Sequence, residues 1–432
     1  MMKQYRTIYM AVGLLGLALA NSWGSTDYYT AGFYTRGADT AFYLDSGDPV
    51  FDPFYVPALR WSVVPRVTVL ATRDDNLRMS AEGTKATTVY AIPGVALILG
   101  RPEARHLYVD YGAIIPIYED NDDVDDRVSH MVTLGGAYVT ARSHVSGRVG
   151  YRRLENVDTV VGARIVKEDY IANLGLDYRV STKTSVGALG SFERHDFEAD
   201  QYVDYDRYYG ALRLYYDTTP RSQLFVQGGA GRDDLRARSN DDYGDAEFYD
   251  LSVGMRGKPS AKTALSGRVG YQWRTFDSAG LEDIEHWTAA IYGEVNPFGF
   301  TTFSSELYAD LRPAVNAEGS TSIDQRWTGS VSRRLFTERL RGNASLFFGR
   351  VDYRSPRQAP ATNEPDGLIF DRRRDEYWGY SLGLDWWWRY NISCGLSYSF
   401  IDNRAARSAV QEVQDASSYD AGRWTLRISW NY

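Results

Sequence analysis

Apolar and polar residues alternate along much of this chain with a period of two, the spacing of a β-strand that has one apolar and one polar face. The final strand shows this most clearly, and its apolar side consists of Trp424, Leu426, Ile428, Trp430 and Tyr432. An apolar terminal strand promotes aggregation unless it is paired within a closed sheet. A transmembrane β-barrel closes the sheet and turns the apolar side toward lipid. We therefore interpret these five residues as an assembly signal that the barrel-assembly machinery reads.

The same alternation recurs in internal stretches of the chain, notably at residues 170–178, 208–216, 249–256 and 378–388. In several of them aromatic residues bracket small aliphatic ones, which is the order expected for a lipid-facing stripe between two aromatic girdles. The links between the predicted strands alternate between short turns and long acidic or polar loops. This alternation is typical of the periplasmic and extracellular ends of an outer-membrane barrel.

We predict an all-β fold, namely a transmembrane antiparallel up-and-down β-barrel of about 18 strands, with a range of 16–18, over residues 61–432. Pro93 and Pro116 weaken two of the predicted strands, because proline cannot donate to a strand ladder. An even number of strands places both ends of the barrel on the periplasmic side.

The first 20 residues have the organisation of a secretory signal peptide. Lys3 and Arg6 precede an apolar run that ends in Ala18-Leu19-Ala20. This run is too short to span ~30 Å of hydrocarbon. We expect cleavage before Asn21 and interpret residues 21–60 as a periplasmic N-terminal segment.

Composition favours a barrel with a wet interior, because 33 Tyr, 11 Trp and 17 Phe occur in a chain whose mean hydropathy is −0.41. A soluble all-β protein remains the competing class at this level. Removing Lys3 and Arg6 from 48 basic residues leaves 46 against 56 acidic ones, a charge of −10 that gives no indication of nucleic-acid binding. The single cysteine, Cys394, excludes an intrachain disulfide framework and falls on the apolar side of its strand.

If the apolar sides face lipid, the alternation places a set of charged residues in the lumen. This predicted lumen lining consists of Arg148, Arg152, Arg213, Arg256, Arg268, Arg274, Arg350, Arg427, Asp177 and Asp385. Charged side chains on the lipid face would cost ~2–4 kcal/mol each at the bilayer midplane, so stability alone predicts an inward orientation. Two interpretations stay open: an electrostatic filter for anionic solutes such as uronic-acid polysaccharide, or an ion-paired network that stiffens the lumen.

Candidate chemistry elsewhere is weak, and we predict no catalytic site, metal or cofactor. His195 lies between acidic residues in Glu193-Arg194-His195-Asp196, which we interpret as a solvated strand end and not as a general base. The acidic run 119–126 lacks the spacing of an EF-hand, so we interpret it as a hydrated loop and not as a Ca²⁺ site.

Three stretches resemble the β-barrel porins found with bacterial exopolysaccharide gene clusters. The first is Pro65-Arg66-Val67-Thr68-Val69-Leu70 followed by Asp74-Asp75-Asn76. The second runs from Tyr108 through an acidic loop to Gly150-Tyr151-Arg152-Arg153. The third runs from Arg374-Asp375-Glu376-Tyr377 through Tyr398-Ser399-Phe400 to the last strand. The resemblance implies a bacterial outer-membrane location and a role in polysaccharide passage.

The leading functional hypothesis is therefore a porin-like protein that provides passage across the outer membrane, with exported polysaccharide as the solute that the resemblance implies. The alternative is a non-transporting structural or adhesion barrel whose acidic extracellular loops contact surface polymer or lipopolysaccharide. The expected partners are outer-membrane lipid and lipopolysaccharide, the barrel-assembly machinery and polysaccharide-secretion components.

Overall fold

The computed structural model describes most of the chain from Trp61 onward. The described ranges are 61–76, 85–101, 105–118, 127–158, 163–198, 202–236, 245–277, 283–313, 321–354, 374–389, 391–407 and 418–431. The predicted signal peptide, the segment 21–60, the acidic run 119–126 and Tyr432 lie outside the described residues. Within the described ranges, no helix is both long and apolar enough to cross a membrane.

Eighteen strands make up the fold, in agreement with the predicted number. They are β1 (Trp61–Asp74), β2 (Ala86–Arg101), β3 (Arg105–Tyr118), β4 (Ser129–Val139), β5 (Ser143–Asp158), β6 (Ala163–Arg179), β7 (Thr184–Phe197), β8 (Asp204–Thr219), β9 (Ser222–Arg236), β10 (Ala246–Ser260), β11 (Thr263–Phe276), β12 (Ile284–Val295), β13 (Thr301–Pro313), β14 (Thr321–Leu335), β15 (Leu340–Arg354), β16 (Arg374–Arg389), β17 (Ile392–Arg407) and β18 (Tyr419–Asn431).

The strands form one closed antiparallel sheet. Each strand pairs with the next along the chain, and β1 pairs with β18, where Val69 lies opposite Ile428. Closure leaves no open sheet edge, so the terminal strand has a partner on both sides. The prediction of an up-and-down barrel is confirmed.

The two prolines lie inside regular strands, but at positions where a missing N–H does little harm. Pro93 pairs with Val67 of β1, whereas the ladder between β2 and β3 skips from Ala91 to Gly94. Pro116 lies beyond the last pair of β3 with β4, which involves Ile114. The local interruptions accommodate proline without breaking the sheet.

The inner and outer faces of the wall differ sharply in chemistry. On β18, Leu426 and Ile428 are 51% and 53% exposed, whereas Thr425, Arg427 and Ser429 between them are buried. The same division holds on β8, where Leu212 is 70% exposed and Arg213 is buried. Apolar side chains thus cover the outside of the barrel, and polar and charged side chains fill the inside.

Candidate functional site: the barrel lumen

Most of the predicted lumen lining lies on the inner face of the wall. The residues found there are Arg148, Arg152, Arg213, Arg256, Arg268, Arg274, Arg427, Asp177 and Asp385, each flanked along its strand by outward-facing neighbours. Exposed apolar residues such as Val149 and Leu212 mark the outward-facing positions of these strands. Because successive side chains of a strand point to opposite faces, the residues between them face inward, and we call this odd or even assignment the parity of the strand.

Several of these inner-face arginines are paired with acidic or amide side chains. Arg152 forms a buried ion pair with Asp169, and Arg427 forms one with Asp385. Asp385 also accepts a hydrogen bond of 2.6 Å from the Asn343 amide. This pairing is the geometry of an ion-paired network, since a charge removed from water is stable only with a close partner.

Two arginines nearer the short turns combine polar pairing with aromatic contacts. Arg213 donates from Nε to Gln227 Oε1 at 2.6 Å and lies over the Phe225 ring. Arg256 lies 3.6 Å from Asp177 and its guanidinium sits 4.4 Å above the centre of the Tyr215 ring. Both arginines therefore belong to the wall of the lumen, where ring faces partly shield their charge.

Arg350 does not line the lumen, and its predicted position is wrong. On β15 the exposed side chains are Leu346 and Phe348, which share their parity with Arg350, whereas Val351 is buried. Arg350 lies on the outer face and forms an ion pair of 2.6 Å with Asp352. Near the end of a strand the outer face leaves the apolar belt, so an ion pair there escapes the cost of lipid exposure.

Side chains from non-adjacent strands meet inside the barrel toward the long-loop end. Arg207 of β8 donates from Nη2 to the backbone carbonyl of Leu311 on β13, at 3.1 Å. Asp233 of β9 forms ion pairs with both Arg207 and Arg274, and Arg274 donates to Thr321 Oγ1 of β14 at 3.3 Å. We name these five residues the cross-lumen layer. The layer joins β8–β11 to β13 and β14, so strands that are not neighbours in the sheet touch at this level.

Apolar and aromatic side chains reinforce the cross-lumen layer. Leu311 and Ile323 lie opposite each other and are 0% and 2% exposed, although they share the strand side of the exposed Leu307 and Trp327. The guanidinium of Arg207 lies 4.9 Å from the centre of the Phe248 ring, and that of Arg312 lies 5.1 Å from the Tyr308 ring. Water has little access to this layer, where side chains of β8–β14 pack against one another.

Sequence reasoning missed Arg207 and Asp233 because both fall in stretches dense in charge. Asp233 is followed by Asp234 at the start of a long acidic link between two predicted strands, so its local sequence does not set it apart. The signal that would have found Asp233 is parity. It shares the inner side of β9 with Gln227, whereas Val226 is exposed.

His195 is buried, so its interpretation as a solvated strand end is wrong. Its Nδ1 lies 2.6 Å from Asp169 Oδ1, and its ring centre lies 4.5 Å from that of Tyr205. Asp169 also holds Arg152, and Glu193 lies 3.6 Å from His195 Nε2. The histidine completes a buried cluster of charged side chains on β5–β7.

A contrasting wall of the lumen carries a row of serines on adjacent strands. The hydroxyl row consists of Ser304, Ser330, Ser345, Ser381 and Ser399, each opposite the next in the strand register. All five are half-buried and lie on the inner face. Ser304 and Ser330 are joined by a hydrogen bond of 2.5 Å, and Ser345 and Ser381 by one of 2.7 Å. Short hydroxyl side chains keep this wall polar and leave room beside it.

The predicted assembly strand presents its apolar side outward. Trp424, Leu426 and Ile428 are about half exposed on β18, and Trp430 is half-buried opposite Val67 of β1. Whether the assembly machinery reads this strand stays a prediction.

The architecture defines a class of protein. A closed, even-stranded antiparallel barrel with an apolar outside and a charged inside satisfies every backbone group within a bilayer. The chain is a bacterial outer-membrane β-barrel of porin-like architecture.

A family model that covers most of the chain identifies the family. The family model described as "Putative beta-barrel porin 2" matches residues 48–416, and the chain belongs to this family. No curated protein matches the chain.

Solved outer-membrane barrels are similar to the chain in fold. A bacterial polysaccharide outer membrane secretin is 10% identical, with 85% of this chain and 98% of that chain covered and a TM-score of 0.35. OpdK from Pseudomonas aeruginosa is 12% identical, with 86% and 99% covered and a TM-score of 0.42. OccAB2 from Acinetobacter baumannii is 12% identical, with 86% and 98% covered and a TM-score of 0.46. Likenesses at this level carry no argument about the solute.

Proposed function

We propose that this barrel provides passage across the outer membrane for a hydrophilic polymer, and that the polymer is an exported polysaccharide. The observation that carries the proposal is the hydroxyl row. A serine hydroxyl both donates and accepts hydrogen bonds, so a row of them can exchange partners with successive sugar hydroxyls. The resemblance to porins of exopolysaccharide gene clusters supports the same solute class.

The cross-lumen layer sets a condition on this function. Arg207, Asp233 and Arg274 bridge the wall by side chains, and no described backbone segment crosses the lumen at that level. A polymer that passes along this sector of the lumen requires these side chains to separate, which rotamer changes and wall motion can achieve without unfolding the sheet.

The same layer favours a second candidate function. If the layer stays closed, the protein is a structural or adhesion barrel whose outer loops contact surface polymer or lipopolysaccharide. The closed contact between Arg207 and the Leu311 carbonyl is the observation in favour of this reading.

Single-channel recording of the refolded mature protein in a planar bilayer tests the proposal. Passage predicts stepwise conductance with transient blocks when an oligosaccharide is added. A variant that opens the layer, Arg207→Ala, should conduct more than the wild type. A folded barrel that shows no conductance as wild type and as Arg207→Ala would contradict passage and support the structural role.

A further inference from the structure

One register row on the lumen wall brings together an aromatic ring, a guanidinium, an amide and a hydroxyl. The row passes from Tyr108 on β3 through Gly135 to Arg148 on β5, then to Asn173 on β6 and Ser191 on β7. Four strand spacings of about 4.8 Å make the row ~19 Å long. We name Tyr108, Arg148, Asn173 and Ser191 the lumen row.

Arg148 differs from the paired arginines of the lumen. Its Nη2 is buried without a hydrogen-bond partner, and within the described strands no carboxylate lies within ion-pairing distance of it. Arg152, two inner-face positions away on the same strand, is paired with Asp169. Arg148 is thus a cation whose natural counterpart is an anion from outside the chain.

Asn173, which lies opposite Arg148 in the strand register, also lacks hydrogen-bond partners. Neither Oδ1 nor Nδ2 of its buried amide has a hydrogen-bond partner. Buried polar groups are nearly always satisfied, so two unsatisfied neighbours on one wall point to a missing ligand. Of the four inner-face positions next to this pair, Gly150 and Gly175 carry no side chain, and Ser146 and Ile171 are the other two.

Tyr108 lies on the other side of Arg148, and the space between Tyr108 and Asn173 is the recess of the lumen row. A β-carbon built on Gly135 would lie 2.6 Å from the Tyr108 ring, so that ring lies over the glycine and next to Arg148. The His106 ring stacks against the Tyr108 ring with ring centres 6.2 Å apart. The recess therefore offers a flat apolar face beside a cation.

We propose that the lumen row is a binding site for acidic sugar units, with Arg148 taking the sugar carboxylate. Asn173 and Ser191 hydrogen-bond the neighbouring hydroxyls, and the Tyr108 ring packs on the apolar face of a sugar ring. The planar guanidinium matches a carboxylate in a bidentate manner, which a neutral sugar cannot use. The inference rests on the proposed passage of polysaccharide and names its chemical class as a uronic-acid polymer.

Calorimetric titration of the refolded full-length mature barrel in detergent with trigalacturonic acid and with maltotriose tests the site. We expect the acidic trisaccharide to bind more tightly than the neutral one. Arg148→Gln should raise the Kd for trigalacturonic acid at least about tenfold, since a hydrogen bond to a charged group is lost. Its Kd for maltotriose should change less than about twofold.

Arg256→Gln is the matched control, because it removes the same charge from the same lumen at an arginine that already has Asp177 as a partner. It should leave both Kd values within about twofold. Arg148→Lys keeps the charge without the planar fork and should give an intermediate Kd, which also covers the case of a poorly folding glutamine variant.

If Arg148→Gln and Arg256→Gln raised the Kd for trigalacturonic acid equally, the site would be overturned. That result would show that any positive charge in the lumen attracts the sugar through the overall electrostatic field. No binding of either sugar by the wild type would also overturn the site. A different result would refute the proposed passage of polysaccharide. A barrel that never conducts but keeps Arg148-dependent binding would refute passage and leave the lumen row standing.

Discussion

Asp233→Ala is expected to destabilise the folded barrel strongly, because this carboxylate joins two arginines of the cross-lumen layer. Asp233 Oδ1 lies 3.0 Å from Arg207 Nε, and Oδ2 contacts Arg274. The side chains of Asp233 and Arg274 are each 1% exposed. Alanine would leave both guanidinium groups inside the wall without their anion.

The structure sets the size of the effect. Breaking a buried ion pair by removing one partner costs about 3–5 kcal/mol, since an uncompensated charge stays buried. Asp234 is the matched control because it is the next residue, points outward, and pairs with Arg232 on the surface. The side chains of Asp234 and Arg232 are 35% and 44% exposed, so Asp234→Ala should cost less than about 1 kcal/mol.

The assay is equilibrium unfolding from phospholipid vesicles in urea, followed by tryptophan fluorescence and extrapolated linearly to water. The free energy of unfolding should fall for Asp233→Ala and barely change for Asp234→Ala. Adding Arg274→Leu to Asp233→Ala should recover part of the loss, because one of the unpaired charges disappears. Equal effects of the two aspartate variants would refute the buried layer.

Three other outcomes are expected. Leu212→Arg on the middle of the outer wall should lower the free energy of unfolding by ~2–4 kcal/mol, whereas Val180→Arg in a short turn should cost ~0–1 kcal/mol, and unfolding in vesicles compares them. A hydrogen bond from Arg127 lowers the pKa of Glu198, so this contact stabilises fully above the ordinary carboxyl pKa of about 4.3 and is lost as pH falls through the lowered pKa. Glu198→Gln should therefore destabilise at pH 7 and have no effect near pH 2, and unfolding curves that differ equally at both would disprove it. Deleting residues 430–432 removes pairs of β18 with β1 and should reduce the heat-modifiable, membrane-inserted fraction on gels; normal insertion would count against the assembly signal.

Particular residues show how far sequence reasoning reaches in this protein. The inward positions of Arg148, Arg213 and Arg427 follow from the exposed leucines and valines beside them, because parity is a local property of a strand. The inward position that the alternation predicted for Arg350 is wrong, because the exposed Leu346 and Phe348 lie on the same side of the strand as Arg350 and place it on the outer face. Burial of His195 escaped prediction because its partner Asp169 lies 26 residues earlier, on a neighbouring strand.

The sequence by itself determined the strand number, the closure of the sheet and the chemistry of its two faces. These features depend on a period-two alternation of apolar and polar side chains, which can be read from a few consecutive residues. Only the tertiary structure decided which inner-face charges are satisfied, which non-adjacent strands touch inside the barrel, and which polar groups remain unpaired. Those properties arise when β8 meets β13 and β5 meets β6, and contacts between residues far apart in sequence leave no local pattern to read.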